Sequence, residues 1–352
     1  MNKNLLIITQ KIDQDDTVLG FFHGWVAELA KISPHVIVIC LEEGRHALPS
    51  NVRVLSLGKE KGVRTRWNYI RKFYGYIWKE RSNYDAVFVH MNQEYVLLGG
   101  LFWRMLRKKV FLWRNHRYGN WMTRLAVSFT NLVFCPSPHS YTARMTKARL
   151  MPAGIDTDLF RPLEGMERVS RLVLCAGRIS PNKRQHTLIE AVDALWTEGE
   201  MLRVSIVGDP SKGSESYYQK VRAEASLLEH EAIIHFYDGV SQEHMPELYS
   251  SHEVFVNLTE TGSFDKTVLE AMACGCLPLA SNLSFRSMFP AEFRDLLSFK
   301  EEDSVDLAQK LSLLLAQPEL MKEKISHTMR EMVIEKHSLA RLVDELGKYI
   351  NK

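Results

Sequence analysis

At 352 residues, 45% hydrophobic and 25% charged, the chain is too long for one ordinary core and has the balance of a globular protein of two domains. No run of 18 apolar residues occurs, and the apolar run at 5–9 is too short for a signal-peptide core, so a cytoplasmic chain without a membrane-spanning helix is expected. The net charge of +3 hides an asymmetry: residues 1–165 hold 24 Lys and Arg against 13 Asp and Glu, or +11, and the remainder 21 against 29, or −8, as expected of two units with different partners.

Along the first half, short apolar runs at 5–9, 35–41, 52–57, 85–90, 109–113 and 132–136 read as strands. Amphipathic stretches between them, such as 20–32 and 67–81, read as helices. A turn-rich patch at 151–165 ends this half. The rhythm restarts with strands at 172–176, 202–207, 233–237, 254–258 and 277–280, and helices close the chain from 304 onward. Strands alternating with helices imply an α/β fold of two doubly wound, Rossmann-like parallel sheets facing a cleft. Ligands of such sheets bind outside the carboxyl ends of the strands. The five cysteines (Cys40, Cys135, Cys175, Cys274, Cys276) form no C-x-x-C pair and read as reduced, buried packing residues.

Two clusters stand at strand ends. In the first, Gly177 ends a strand and Arg178 and Lys183 follow in a short loop before a helix. Cations beside a helix N-terminus make a diphosphate site, because the N–H groups and the positive dipole end also face the anion. In the second, a strand runs into Thr259-Glu-Thr-Gly-Ser-Phe-Asp-Lys266, where Ser263 or Asp265 can cap a helix. Glu270 lies further along that helix, where a carboxylate can accept two hydrogen bonds from a ribose diol.

These clusters, in this order, resemble glycosyltransferase family 4 of the GT-B fold. Gly177, Arg178 and Lys183 match the family's G-R-x-x-x-x-K. Phe264, Glu270, Ala271, Met272, Ala273 and Gly275 match its E-x-F-G-x-x-x-x-E-A-M-A-x-G. The stretch from Ala153 to Phe160 looks like its interdomain turn, and Ser137 and Leu150-Met-Pro also sit where the family places them. The resemblance implies an acceptor-side domain at 1–165, rejoined by a last helix at about 336–352, and a nucleotide-sugar domain at 166–335. Two departures stand out. Gly262 occupies the place of the first of the family's paired glutamates, with Glu260 two residues early, and Asp265 occupies the place of a glycine. Main-chain N–H groups of 263–266, with Asp265 and Lys266, are the expected substitutes at the donor sugar.

The resemblance further implies a retaining transferase moving a sugar from a nucleoside-diphosphate sugar to a glycan or lipid-linked acceptor, in cell-surface polysaccharide or glycolipid biosynthesis. The expected donor site comprises Gly20, Gly177, Arg178, Lys183, Gly262, Ser263, Phe264, Asp265, Lys266 and Glu270. His90, ending a strand, is expected near the reacting centre, and His116 on the acceptor side. Arg178, Lys183 and the helix end stabilise the leaving diphosphate in place of a metal. No cofactor is implied beyond the donor substrate. No Asp-x-Asp stands at a strand end, and Asp13 and Asp15, which have the spacing, read as loop residues, so no metal site is expected. No nucleic-acid motif accompanies the basic half, and no nucleic-acid partner is expected. The rival reading is a catalytically weak nucleotide-sugar-binding homologue, because Gly262 breaks the glutamate pair. The residues single out no base, sugar or acceptor.

Basic and aromatic residues crowd the first half: Arg64, Arg66, Trp67, Arg71, Lys72, Phe73, Tyr76, Trp78 and Lys79, then Phe102, Trp103, Arg104, Arg107, Lys108, Lys109, Trp113 and Trp121. Aromatics beside cations suit the headgroup layer of an anionic membrane, so peripheral attachment to the inner face of the membrane is expected.

Overall fold

The computed structural model describes residues 2–62 and 65–352. The chain divides into two compact units, Met1–Gly154 with Leu339–Lys352, and Ile155–Ser338. The first unit contains β1 (Leu5–Ile12), α1 (Phe21–Lys31), β2 (Val36–Glu43), β3 (Val52–Ser56), α2 (Arg66–Lys79), β4 (Ala86–His90) and α3 (Gln93–Met105). It continues with β5 (Lys109–Trp113), α4 (Trp121–Phe129), β6 (Leu132–Cys135) and β7 (Ala148–Leu150). The second unit contains β8 (Val169–Ala176), α5 (Gln185–Thr197), β9 (Arg203–Val207), α6 (Glu215–Glu224), α7 (Ser226–His230), β10 (Ile234–Tyr237) and α8 (Met245–Ser251). It closes with β11 (His252–Asn257), α9 (Lys266–Ala273), β12 (Leu277–Ala280), α10 (Leu283–Met288), α11 (Ser304–Leu315) and α12 (Glu319–His337). The last helix, α13 (Leu339–Ile350), rejoins the first unit.

Each unit is built on one parallel sheet, ordered β3-β2-β1-β4-β5-β6-β7 in the first and β10-β9-β8-β11-β12 in the second. The central strands carry continuous apolar runs, Leu5–Ile8 in β1, Ala86–Val89 in β4, Leu172–Ala176 in β8 and Val254–Val256 in β11, because helices cover both faces. In β1, Leu5 and Ile7 enter a core with Phe22, Trp25 and Leu29 of α1 and Leu342 and Leu346 of α13. Leu6 and Ile8 point the other way, into a core with Phe73 and Ile77 of α2, Trp103 of α3 and Val127 of α4. All five cysteines are free and buried.

The chain leaves the first unit at Gly154, whose φ of +71° requires a glycine. A Cβ there would lie 2.4 Å from Leu342 and 2.7 Å from the Trp25 ring, and the Trp25 indole donates to the Gly154 carbonyl at 2.9 Å. Residues 155–165, grouped with the first half by the sequence reading, lie in the second unit. Ile155 N–H donates to the His337 carbonyl at 2.9 Å, Leu163 N–H to the Ser250 hydroxyl at 3.3 Å, and Phe160 packs on Tyr249. The return crossing falls at 338/339 rather than 335/336, because α12 runs unbroken to His337. In both sheets the strand order reverses beside the first strand, at β1/β4 and at β8/β11. Those switch points are where an open α/β sheet takes a ligand.

Candidate functional site

The second unit's switch point is built by close backbone approach. Gly177, just past β8, has φ +137°, and Gly208, just past β9, has φ +148°. A Cβ on Gly208 would stand 2.1 Å from the Gly177 carbonyl oxygen, so this strand end tolerates only glycine. A single turn, Pro181–Lys183, follows, and Arg184 enters α5 through a left-handed conformation with φ +49°.

Lys183 reaches back across the sheet end to Asp265, and their side chains form an ion pair. Asp265 is the N-cap of α9, accepting from Thr267 N–H at 3.4 Å. The Asn257 amide and the Thr259 hydroxyl, at the end of β11, each donate to the same carboxylate at 3.0 Å. Burial alone would raise this carboxyl. The charge and hydrogen bond of Lys183, with the donors Asn257 and Thr267, outweigh it and hold the pKa at about 2. The cation expected to meet a diphosphate is thus already seated, with an anion at the helix N-terminus opposite it.

One turn on, Glu270 is buried, and the Tyr249 hydroxyl donates to its Oε2 at 3.3 Å. Burial lifts the Glu270 carboxyl above the usual range, opposed by the nearby charge of Lys266. Burial likewise depresses the Lys266 ammonium, which Glu270 partly restores. The two form an internal acid–base pair on successive turns of α9.

The loop from β11 to α9 is fixed on several sides. Gly262 has φ +99°, a conformation that disfavours any side chain, which is the physical reason no glutamate stands there. Glu260 is drawn away by Arg184, which pairs with Glu260 at 3.1 Å, Glu301 at 3.0 Å and Glu302 at 2.5 Å. Thr261 N–H donates to Glu301 at 2.8 Å. The Asn282 amide donates to the carbonyls of Glu260 at 3.0 Å and Ser263 at 2.7 Å. Phe264 is buried against Phe285 at 4.8 Å between ring centres. Arg178 is exposed, with no acidic partner among the described residues.

In the first unit, His90 ends β4 and is buried. Its ring stacks on Phe22 at 3.9 Å, with Phe21 and Trp25 around it, and its Nδ1 lies 3.3 Å from the Thr9 hydroxyl. Gly20 leads into α1, and a Cβ there would come within 2.6 Å of the Asp16 carbonyl. Asp13 and Asp16 flank Lys11, and Asp15 pairs with Arg45, so these loop acids serve internal ion pairs. His116 is exposed, and its Nδ1 accepts from Tyr118 N–H at 3.0 Å. Among the described residues, no group of three or more His, Cys, Asp or Glu is arranged to hold a metal ion.

Lys183, Asp265, Lys266 and Glu270 come together at one strand end, with Gly177 beneath and Gly262, Ser263 and Phe264 on the flanking loop. Sequence reasoning named both Asp265 and Lys183 without pairing them, and missed Arg184 and Gly208. Gly208 carried a readable signal, a glycine directly after an apolar strand. Arg184 carried none, because its three acidic partners are far off in sequence.

Residues 160–331 match the model of the family described as Glycosyl transferases group 1. The second unit belongs to the group 1 glycosyl transferases. The chain is 26% identical over 182 residues to a D-inositol 3-phosphate glycosyltransferase of Streptomyces bingchenggensis, covering 48% of this chain and 40% of that protein. It is 32% identical over 133 residues to an MMP alpha-(1->4)-mannosyltransferase of Mycolicibacterium hassiacum, covering 38% and 30%. The chain thus matches less than half the length of these curated relatives. Over its whole length it is similar in structure to Anabaena HepE in complex with UDP and glucose, with a TM-score of 0.77, 16% identity and 99% of each chain covered. It is also similar to sucrose-phosphate synthase of Thermosynechococcus elongatus, with a TM-score of 0.75, 17% identity and 98% of each covered. At these identities the likeness is one of fold, and that fold is GT-B, with two Rossmann-like domains.

Proposed function

We propose that this protein is a retaining glycosyltransferase that moves a sugar from a nucleoside-diphosphate sugar to a glycan or lipid-linked acceptor, without a catalytic metal. The observation that carries the reading is the seating of Lys183, Asp265 and Glu270 together at the second unit's switch point, on the ends of β8 and β11. Glu270, once ionised, accepts the ribose hydroxyls. Lys183 and Arg178 take the diphosphate, with the N-terminus of α9 facing it. As the sugar–phosphate bond breaks, charge develops on the leaving diphosphate, and these cations stabilise it more than they stabilise the intact donor. The acceptor hydroxyl attacks from the leaving-group side and the departing phosphate takes its proton, which preserves the anomeric configuration. His90, held rigidly by its aromatic neighbours, orients the donor sugar. Gly20 leaves room for the backbone beside the acceptor, which the first unit binds with His116 at its edge.

The glycosyl and mannosyl transfer of the relatives and the UDP and glucose held by HepE support this class of donor. Two observations favour a weaker activity: Lys183 is already neutralised by Asp265, and Gly262 offers no carboxylate to the sugar. Comparing donor binding with donor hydrolysis and transfer tests the proposal. Binding together with transfer of the same anomer supports it, binding without turnover makes the protein a nucleotide-sugar binder, and inversion overturns the mechanism. The basic first unit suits an acceptor carried at an anionic membrane surface.

A further inference from the structure

The donor and acceptor roles leave unused one outer surface of the first unit. Helices α2, α3 and α4 lie side by side over one face of its sheet. The Tyr74 hydroxyl donates to the Leu98 carbonyl at 2.8 Å, the Trp78 and Phe102 rings lie 5.9 Å apart, and Arg104 donates to the Ser128 carbonyl at 3.4 Å. The inner faces bury Phe73, Trp103 and Val127. The outer faces are not the polar faces that water-facing helices present.

On α2, Trp67, Arg71, Tyr74 and Trp78 recur at i, i+4, i+7 and i+11, a single stripe along the helix, and all four are exposed. On α3 the exposed positions include Leu101, Arg104 and Met105, and on α4 Trp121, Arg124 and Leu125. Trp67 is 75% exposed, Met105 77% and Trp121 71%. Side chains of this size, exposed this far on three adjacent helices, mark an interaction surface rather than scattered surface apolars.

The charges select the partner. The three helices carry six cations (Arg66, Arg71, Lys72, Lys79, Arg104, Arg124) and one acid, Glu94. Lys72 is half-buried and turned inward to the Leu57 carbonyl at 3.0 Å, whereas Arg71, Arg104 and Arg124 are exposed and Arg81 lies over the Trp78 ring at 4.4 Å. Of the other aromatics in this part of the sequence, Phe73, Trp103 and Trp113 are core, and Arg64 lies outside the described residues. Tryptophan and arginine interleaved on a nearly acid-free face fit a surface that is apolar beneath and anionic above.

We propose that the outer face of α2–α4 docks the protein on an anionic lipid bilayer, with Trp67, Trp78 and Trp121 at the headgroup level and Arg71, Arg104 and Arg124 on the lipid phosphates. This deepens the membrane-carried acceptor of the functional reading, and rests on it only for what the docking serves. Trp67 and Trp121 open α2 and α4, so they stand at the rim of the carboxyl strand ends, the rim that holds His90. Docking there brings a lipid-borne hydroxyl to that rim without any helix crossing the bilayer.

Cosedimentation of the full-length protein with phosphatidylcholine vesicles, with and without phosphatidylglycerol, tests this at low and high salt. Expected are binding to the anionic vesicles alone, weakening with salt, and a blue shift of tryptophan emission on binding. Arg71→Glu with Arg104→Glu lowers vesicle affinity by at least about tenfold, because each basic residue near an anionic surface contributes a several-fold factor. Trp67→Ala with Trp78→Ala reduces the emission shift, leaving only the part that comes from Trp121. Both doubles retain wild-type Tm and nucleotide binding. Equal sedimentation with neutral and anionic vesicles, none with either, or unchanged binding by the folded variants overturns the proposal. So does self-association of the wild type that the tryptophan variants abolish, which assigns the face to a second copy. Loss of donor binding alone, with vesicle binding intact, would remove the functional reading and leave the docking standing.

Discussion

Asp265 is the residue on which the site turns. It caps α9, neutralises Lys183 and takes the Asn257 and Thr259 donors, all with one buried carboxylate. Its pKa is held at about 2, below the ordinary 3.8. A depressed carboxylate contributes stability that is present above the unfolded value and is lost as pH falls through the folded one. Asp265→Asn is therefore expected to cost about 2 kcal/mol near neutrality. Measured by denaturant unfolding, the gap to wild type should shrink as pH falls from about 4 toward 2. A pH-independent gap would mean that the pair with Lys183 contributes nothing. Lys183→Ala removes a charge-assisted contact worth ~1.5–3 kcal/mol, and turnover should drop at least about tenfold. Glu270 behaves oppositely, because burial raises its pKa. Donor affinity should weaken as pH falls from above neutrality, where the carboxylate is ionised, and Glu270→Gln should flatten that part of the profile in a calorimetric titration. The sequence displayed all three residues, with Lys183 and Glu270 in recognisable spacing. The Lys183–Asp265 contact was not legible, because 82 positions separate the partners and only the fold joins them.

At the scale of elements, the loop from β11 to α9 shows why a motif can lose a residue without losing its shape. Gly262 sits at φ +99° and Arg184 gathers Glu260, Glu301 and Glu302, so the loop's path is set by backbone and ion pairs rather than by a glutamate at 262. Restoring the family's residue with Gly262→Glu should lower stability by ~1–2 kcal/mol, the cost of a left-handed side-chain-bearing residue, and should not tighten donor binding. Thermal unfolding and donor titration of the variant check this, and a stable, tighter-binding protein would refute it. Strand periodicity was readable because strands buried on both faces are continuous apolar runs, as in β1 and β4. The short β7 was not, since three edge residues leave no pattern, and α4 begins at an Asn120–Thr123 capping box that was not recognised. The domain boundary moved for a similar reason. Composition marks a turn-rich patch at 151–165, but the hydrogen bonds of Ile155 and Leu163 decide which core receives it.

The whole molecule pairs a basic unit with an acidic one, each built on a parallel sheet with its own switch point. The proposed function divides the labour between them: donor chemistry at the ends of β8 and β11, acceptor and membrane on the first unit. With cations and a helix end proposed to meet the diphosphate rather than a divalent ion, transfer should proceed at full rate in excess EDTA, and a loss restored by magnesium or manganese would contradict that proposal. The proposed function stands or falls with Lys183 and its neighbours holding a nucleoside diphosphate. Calorimetric titration of the full-length protein with UDP, GDP and ADP, repeated on Lys183→Ala, tests it most directly. At least one of the three should bind the wild type, and bind the variant at least about tenfold more weakly. Binding of none of them, or equal binding to both proteins, would contradict it.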